Sequence, residues 1–107
     1  MNDLTNETEK AFKIIYCEYK ARRRSGISKE QAIKFADGTI ESLPAFKNWL
    51  KEDIKYAIKE LIASKFLKPD INGNVTMTDD SIKYMDSKPK EFFEELSKVF
   101  DIASLFI

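Results

Sequence analysis

The stretch KPDINGNVTMTDD, residues 68–80, decides how the rest of the chain is read. Asp70, Asn72 and Asn74 alternate like the opening ligands of a calcium loop, whereas Asn72-Gly73 between apolar runs signals a β-hairpin. Counted from Asp70, the position that must bend is Val75 and the position that must close the shell is Ser81, where a calcium loop needs glycine and a bidentate glutamate. Both requirements fail, and glycine sits where a two-residue type I′ turn wants it. The runs FLKPDI and NVTMT are therefore predicted to pair as strands.

On the far side of this hairpin, Thr78 is placed to cap a short helix, DDSIKYMDS, with Asp79 and Asp80 in its first turn. On the near side, SLPAFKNWLKEDIKYAIKELIASKF carries the strongest periodicity of the chain. Phe46, Leu50, Ile54, Ile58, Ile62 and Phe66 recur at every fourth position, widened by Trp49, Ala57 and Leu61. That face is expected to be buried. Ser42 and Pro44 suit the start of one long helix over 42–66, while Asp53 could cap a second after a break, and the pattern allows both.

Further out, LTNETEKAFKIIYCEYKARRRSG places Leu4, Ala11, Phe12, Ile15 and Tyr19 on one helical face, and it ends in Arg22, Arg23 and Arg24 before Gly26. In ISKEQAIKFADG, Ser28 and Gln31 have the spacing of a capping box, Ile27 and Ala32 that of a hydrophobic staple, and Asp37-Gly38 supplies a stop. A second helix over roughly 29–36 follows. Pro89 opens the last segment, where Phe92, Phe93, Leu96, Val99, Phe100, Ala103, Phe106 and Ile107 form a broad apolar face of a helix over about 88–106.

Composition narrows the chemistry. The chain has 107 residues, with eighteen basic residues against eighteen acidic ones, so no global field steers it toward nucleic acid or an anionic membrane. Cys17 stands alone, which excludes an intrachain disulfide and a multi-cysteine zinc site and points to a reducing, cytoplasmic setting. The absence of histidine removes the commonest general base and zinc ligand. The chain is expected not to be an enzyme and to carry no metal or cofactor. With a polar, acidic N-terminus and no long apolar run, neither secretion nor membrane insertion is expected.

Helix, short helix, long helix, hairpin and a threonine-capped helix, best matched over DIKYAIKELIASKFLKPDINGNVTMTDDSIKYM, is an order that resembles the winged-helix branch of helix-turn-helix domains. Bacterial regulators of the multiple-antibiotic-resistance and PadR-like groups are similar. The resemblance implies a mainly α fold with a small β-hairpin, a single winged helix-turn-helix domain with its core at about 10–86, and a C-terminal amphipathic helix. It further implies that residues 53–65 form a recognition helix for the major groove of double-stranded DNA, with Asn72, Gly73 and Asn74 as the tip of a wing.

Independently of that resemblance, Lys47, Lys51, Lys55 and Lys59 recur every fourth residue, a row whose self-repulsion an anionic partner would offset. Glu52 and Glu60 are the nearby acids that would otherwise screen it. Candidate DNA contacts are Lys51, Lys55, Tyr56, Lys59, Asn72 and Asn74, with Arg22, Arg23 and Arg24 on the backbone. The C-terminal positions Phe92, Phe93, Leu96, Val99, Phe100 and Phe106 either complete the monomer core or form a homodimer or protein-partner interface; dimerisation is the expectation, as in a two-fold transcriptional regulator. Asp70 and the acids around it oppose phosphate, and the linker ADGTIESLPAFKNW is long for a helix-turn-helix. A winged-helix protein-interaction module without DNA binding is the alternative.

Overall fold

The computed structural model describes residues 4–96. The longest element, α1 (Asn6–Arg24), is capped by Thr5, whose hydroxyl accepts the Thr8 N–H at 3.2 Å. Its last turn carries Arg22, Arg23 and Arg24, and Gly26 follows with φ +92°, a left-handed conformation that costs glycine nothing. Ala11, Phe12, Ile15 and Tyr19 are buried and Leu4 is half-buried, as the period of the sequence requires, but burial is continuous from Ala11 to Cys17, so the helix is covered on more than that one face.

The second helix is shorter than expected. α2 (Lys29–Ala32) has the Ser28 cap, with the Gln31 N–H donating to the Ser28 hydroxyl, but the chain then turns into β1 (Lys34–Phe35). The carbonyls that would continue the helix are taken. Arg22 Nη1 donates to Ala32 O at 3.2 Å and to Lys34 O at 2.7 Å, and the Met77 N–H donates to Ile33 O at 2.9 Å. The Arg22 bond thus takes the Ala32 carbonyl that would accept the Ala36 amide in a helix over 29–36, and antiparallel pairing with Val75 and Thr76 draws Lys34 and Phe35 into a sheet.

Between β1 and the next helix runs a chain of tight turns, including the 3₁₀ segment Pro44–Phe46. Amide–carbonyl bonds of i→i+3 type link Thr39 to Ala36, Ser42 to Thr39, Leu43 to Ile40, Phe46 to Leu43, Lys47 to Pro44 and Trp49 to Phe46. Ile40, Leu43 and Phe46 are buried and Trp49 half-buried, a spacing of three that matches 3₁₀ geometry. The Phe46 and Trp49 rings meet edge to face at 5.0 Å. The 42–66 segment is therefore broken: α3 (Lys51–Ala63) starts after Leu50, which supplies no side-chain cap, and Asp53 lies in its first turn. Leu50 falls outside the buried stripe and is 67% exposed, because the helical period begins only after it.

α3 ends in paired bonds from the Lys65 N–H to Ile62 O and from the Phe66 N–H to Leu61 O, with Lys65 left-handed at φ +66°. A side chain there costs roughly 1 kcal/mol or more. Lys65→Gly is expected to raise unfolding stability by about 0.5–1 kcal/mol, the gain being trimmed by glycine's larger unfolded-state entropy. Thermal melts followed by helical dichroism test it, and a lower melting temperature would contradict it.

β2 (Leu67–Pro69) and β3 (Val75–Met77) form the expected hairpin, and β1 adds to the other edge of β3. The sheet is antiparallel in the order β1-β3-β2, with Lys34 and Lys68 both opposite Thr76. Thr78 caps α4 (Asp79–Asp86), accepting from the Ser81 N–H while its hydroxyl donates to Lys65 O at 2.8 Å, so one side chain joins the end of α3 to the start of α4. The Tyr16 hydroxyl donates to Asp86 Oδ1 at 2.6 Å and ties α4 to α1. The protein is thus mainly helical with a small three-stranded antiparallel sheet, an order compatible with a winged-helix layout.

At residues 90–96 the expected α-helix is instead a 3₁₀ segment, Lys90–Leu96. Its Phe93 is fully buried with the ring stacked on Tyr16 at 5.4 Å, and Phe92 is half-buried under the Lys13 ammonium at 4.2 Å. These two aromatics belong to the core of the monomer. The rest of the expected helix, with Val99, Phe100 and Phe106, lies outside the described residues, as does the side chain of Leu96.

Candidate nucleic-acid interface

On α3, Ile54, Ala57 and Leu61 face the core, and Lys51, Lys55, Tyr56 and Lys59 are exposed, Tyr56 by 62%. Lys47 drops out of the row because it precedes the helix. Of the two acids nearby, Glu52 is exposed on the same face, three and four residues before Lys55 and Tyr56, whereas Glu60 is turned away. Glu60 lies against the N-terminus of α1, accepting from the Thr5 N–H at 3.3 Å and the Thr5 hydroxyl at 3.2 Å. Hydrogen bonds from Thr8 and then Thr5 hold its carboxyl below the usual value. Glu60 therefore serves the α1 cap rather than screening the lysines.

The wing tip is wider than a type I′ turn. Asn72 does not have the positive φ such a turn requires, whereas Gly73 does, at +87°. The Gly73 N–H donates to Asp70 O, and the Asp70 N–H donates to Asn74 O at 2.9 Å, so Ile71, Asn72 and Gly73 make a three-residue loop with Gly73 at the bulge. Asp70 is the reason. Its carboxylate accepts from the Asn72 N–H at 2.8 Å and from the Asn74 N–H and Nδ2 at 2.9 Å each. Asn74 Oδ1 in turn accepts the Asp37 N–H at 2.9 Å, which fastens the wing to the end of β1. The alternation that imitated a metal loop is an internal hydrogen-bond device; Asn72 stays exposed at the tip, while Asn74 is a brace.

These bonds, the Asn74 amide foremost, lower the pKa of Asp70. A carboxyl depressed in the folded state contributes above the unfolded aspartate value, near 3.9, and loses that contribution as pH falls through the lower folded value. The Asn72 and Asn74 amide resonances are therefore expected to titrate together below about pH 4, ahead of global unfolding, and to lose the titration in Asp70→Asn. Amides unmoved in that range would remove the carboxylate from the turn.

The three arginines separate. Arg22 is engaged inside the fold: Nε pairs with Glu18 at 3.0 Å, Nη1 binds the two carbonyls at the α2–β1 junction, and the guanidinium lies over the Phe35 ring at 4.2 Å. Arg23 donates to Ile27 O at 3.1 Å on an exposed side chain, and Arg24 is exposed. The outward row Lys34, Thr76, Lys68 across the sheet has no signal in the sequence, where the capping pattern over 29–36 predicts a helix in place of β1. Lysines on both edge strands also keep those edges from pairing with other chains.

Other chemistry is scarce. Cys17 is buried and its thiol is pushed up to about 12 by burial, so it stays protonated at neutral pH. Burial and then the Asp86 hydrogen bond raise Tyr16. Among the described residues no group of three or more Cys, Asp or Glu gathers as metal ligands, and no helix is long and apolar enough to cross a membrane. Comparison with protein families, with curated proteins and with solved structures returns no match for this chain.

Proposed function

We propose that the protein is a cytoplasmic winged-helix DNA-binding protein, a small dimeric transcriptional regulator that lays α3 in the major groove. The observation that carries this reading is the outward face of α3, where Lys51, Lys55, Tyr56 and Lys59 are exposed together beside the braced wing. Lysines neutralise phosphates and Tyr56 reaches sugar or base edges; Asn72 and Arg24 contribute at the margins. Binding to random duplex should weaken steeply with salt, since each phosphate contact releases counterions. Fluorescence anisotropy across a salt series tests this, and a salt-insensitive or absent signal at low ionic strength rejects it. Solution mass tests the two-fold state.

A second reading has its own support. Asp37 and Asp70 are exposed near the wing tip, and Ile71 at that tip is 98% exposed, a surface better suited to a protein than to phosphate. Ile71→Asp should abolish capture of such a partner while leaving duplex binding within about twofold; the reverse pattern favours the regulator.

A further inference from the structure

The cleft between α3 and the wing holds an arrangement that phosphate contact does not explain. Ile40, Ile58 and Val75 give it an apolar lining. Lys55 and Lys59 reach it from α3, and Asp37 and Glu41 from the segment after β1. Among the described residues no ion pair joins these cations to these anions. The space is about 200 Å3, below the roughly 300 Å3 at which pockets for drug-sized ligands begin, so an occupant is of amino-acid size.

We propose that this cleft binds a small α-amino-acid zwitterion with a branched aliphatic side chain. Its carboxylate meets Lys55 and Lys59, its ammonium meets Asp37 and Glu41, and its hydrocarbon covers Ile40, Ile58 and Val75. Charge complementarity selects this class. A phosphate would face two carboxylates, and a plain hydrocarbon would cover the lining while leaving charges of both signs unpaired. The anionic wall is fastened to the wing: a Cβ at Gly73 would come within 2.9 Å of Asp37 Cγ, and the Asp37 N–H is held by Asn74. A ligand spanning the cleft therefore links the wing to α3.

The test needs no DNA, so it stands or fails apart from the regulator reading. L-leucine is titrated into the full chain while methyl resonances of Ile40, Ile58 and Val75 are followed. Saturable shifts are expected, with 4-methylpentanoate, which lacks the ammonium, and 3-methylbutylamine, which lacks the carboxylate, each binding several-fold more weakly. Lys59→Gln, at an exposed position, and Glu41→Gln, at a half-buried one with no ion pair among the described residues, should each weaken L-leucine about three- to fivefold at unchanged melting temperature. The proposal is overturned by the absence of shifts at millimolar L-leucine, by equal binding of either half-ligand, or by variants that bind like the parent chain.

Discussion

Phe93→Ala is expected to lower the unfolding free energy by about 3–5 kcal/mol, the largest effect of any substitution considered for this protein. The ring is fully buried on Tyr16, whose hydroxyl binds Asp86, so its removal leaves a cavity where α1 and the 3₁₀ segment meet. Domains of this size are stable by roughly 5–15 kcal/mol, so the variant sits close to the unfolding threshold. Phe93→Leu keeps most of the volume and should cost only about 1 kcal/mol. Urea denaturation followed by Trp49 fluorescence reads both. Had Phe93 been an interface residue, Phe93→Ala would instead leave the monomer's unfolding midpoint in place and shift only the solution mass. That result would remove Phe93 from the core.

The second large effect concerns function. If α3 lies on DNA, converting Lys51, Lys55 and Lys59 to Gln should reduce the slope of log K against log salt by about 2.7, at about 0.9 per phosphate contact. At moderate salt that corresponds to a loss of roughly two to three decades in affinity, nearly independent of sequence. The side chains are exposed and carry none of the described ion pairs, so the melting temperature should hardly move. Tyr56→Ala should alter preference among sequences while leaving the salt slope intact. A triple variant with the parent slope would mean that α3 is not the nucleic-acid surface, and the exposed Ile71 wing would become the place to look.

Much of this architecture is legible because local and tertiary preferences agree. The apolar face of α1, the capping of α4 by Thr78 and the strands on either side of Gly73 follow from period, cap chemistry and turn residues. So does the exposure of Lys51, Lys55 and Lys59, since a row beside a buried stripe must face outward. The breaks in 42–66 were harder to see because two periods overlap there. Phe46 belongs both to the fourfold row with Ile54 and to the threefold row Ile40, Leu43, Phe46, Trp49, and the 3₁₀ turns follow the threefold one.

Other features have no local signature at all. Lys34 and Phe35 become a strand because Arg22 and β3 occupy the carbonyls of a would-be helix, and both partners come from elsewhere in the chain. Arg22 left the arginine cluster for the same reason, as a charged side chain with two backbone carbonyls, a carboxylate and an aromatic face in reach is held there instead of in solvent. By period alone Phe92 and Phe93 suit either the core or a partner's surface, and the fold sets Phe92 under Lys13 and Phe93 on Tyr16. The sequence by itself determined which segments are helical or hairpin-forming and which faces are apolar, because those depend on neighbours within a turn. Which apolar face meets which, where a helix must stop, and whether Lys55 and Lys59 look across a cleft at Asp37 and Glu41 were decided only by tertiary structure, since these depend on groups distant in the chain competing for the same hydrogen bonds and the same buried space.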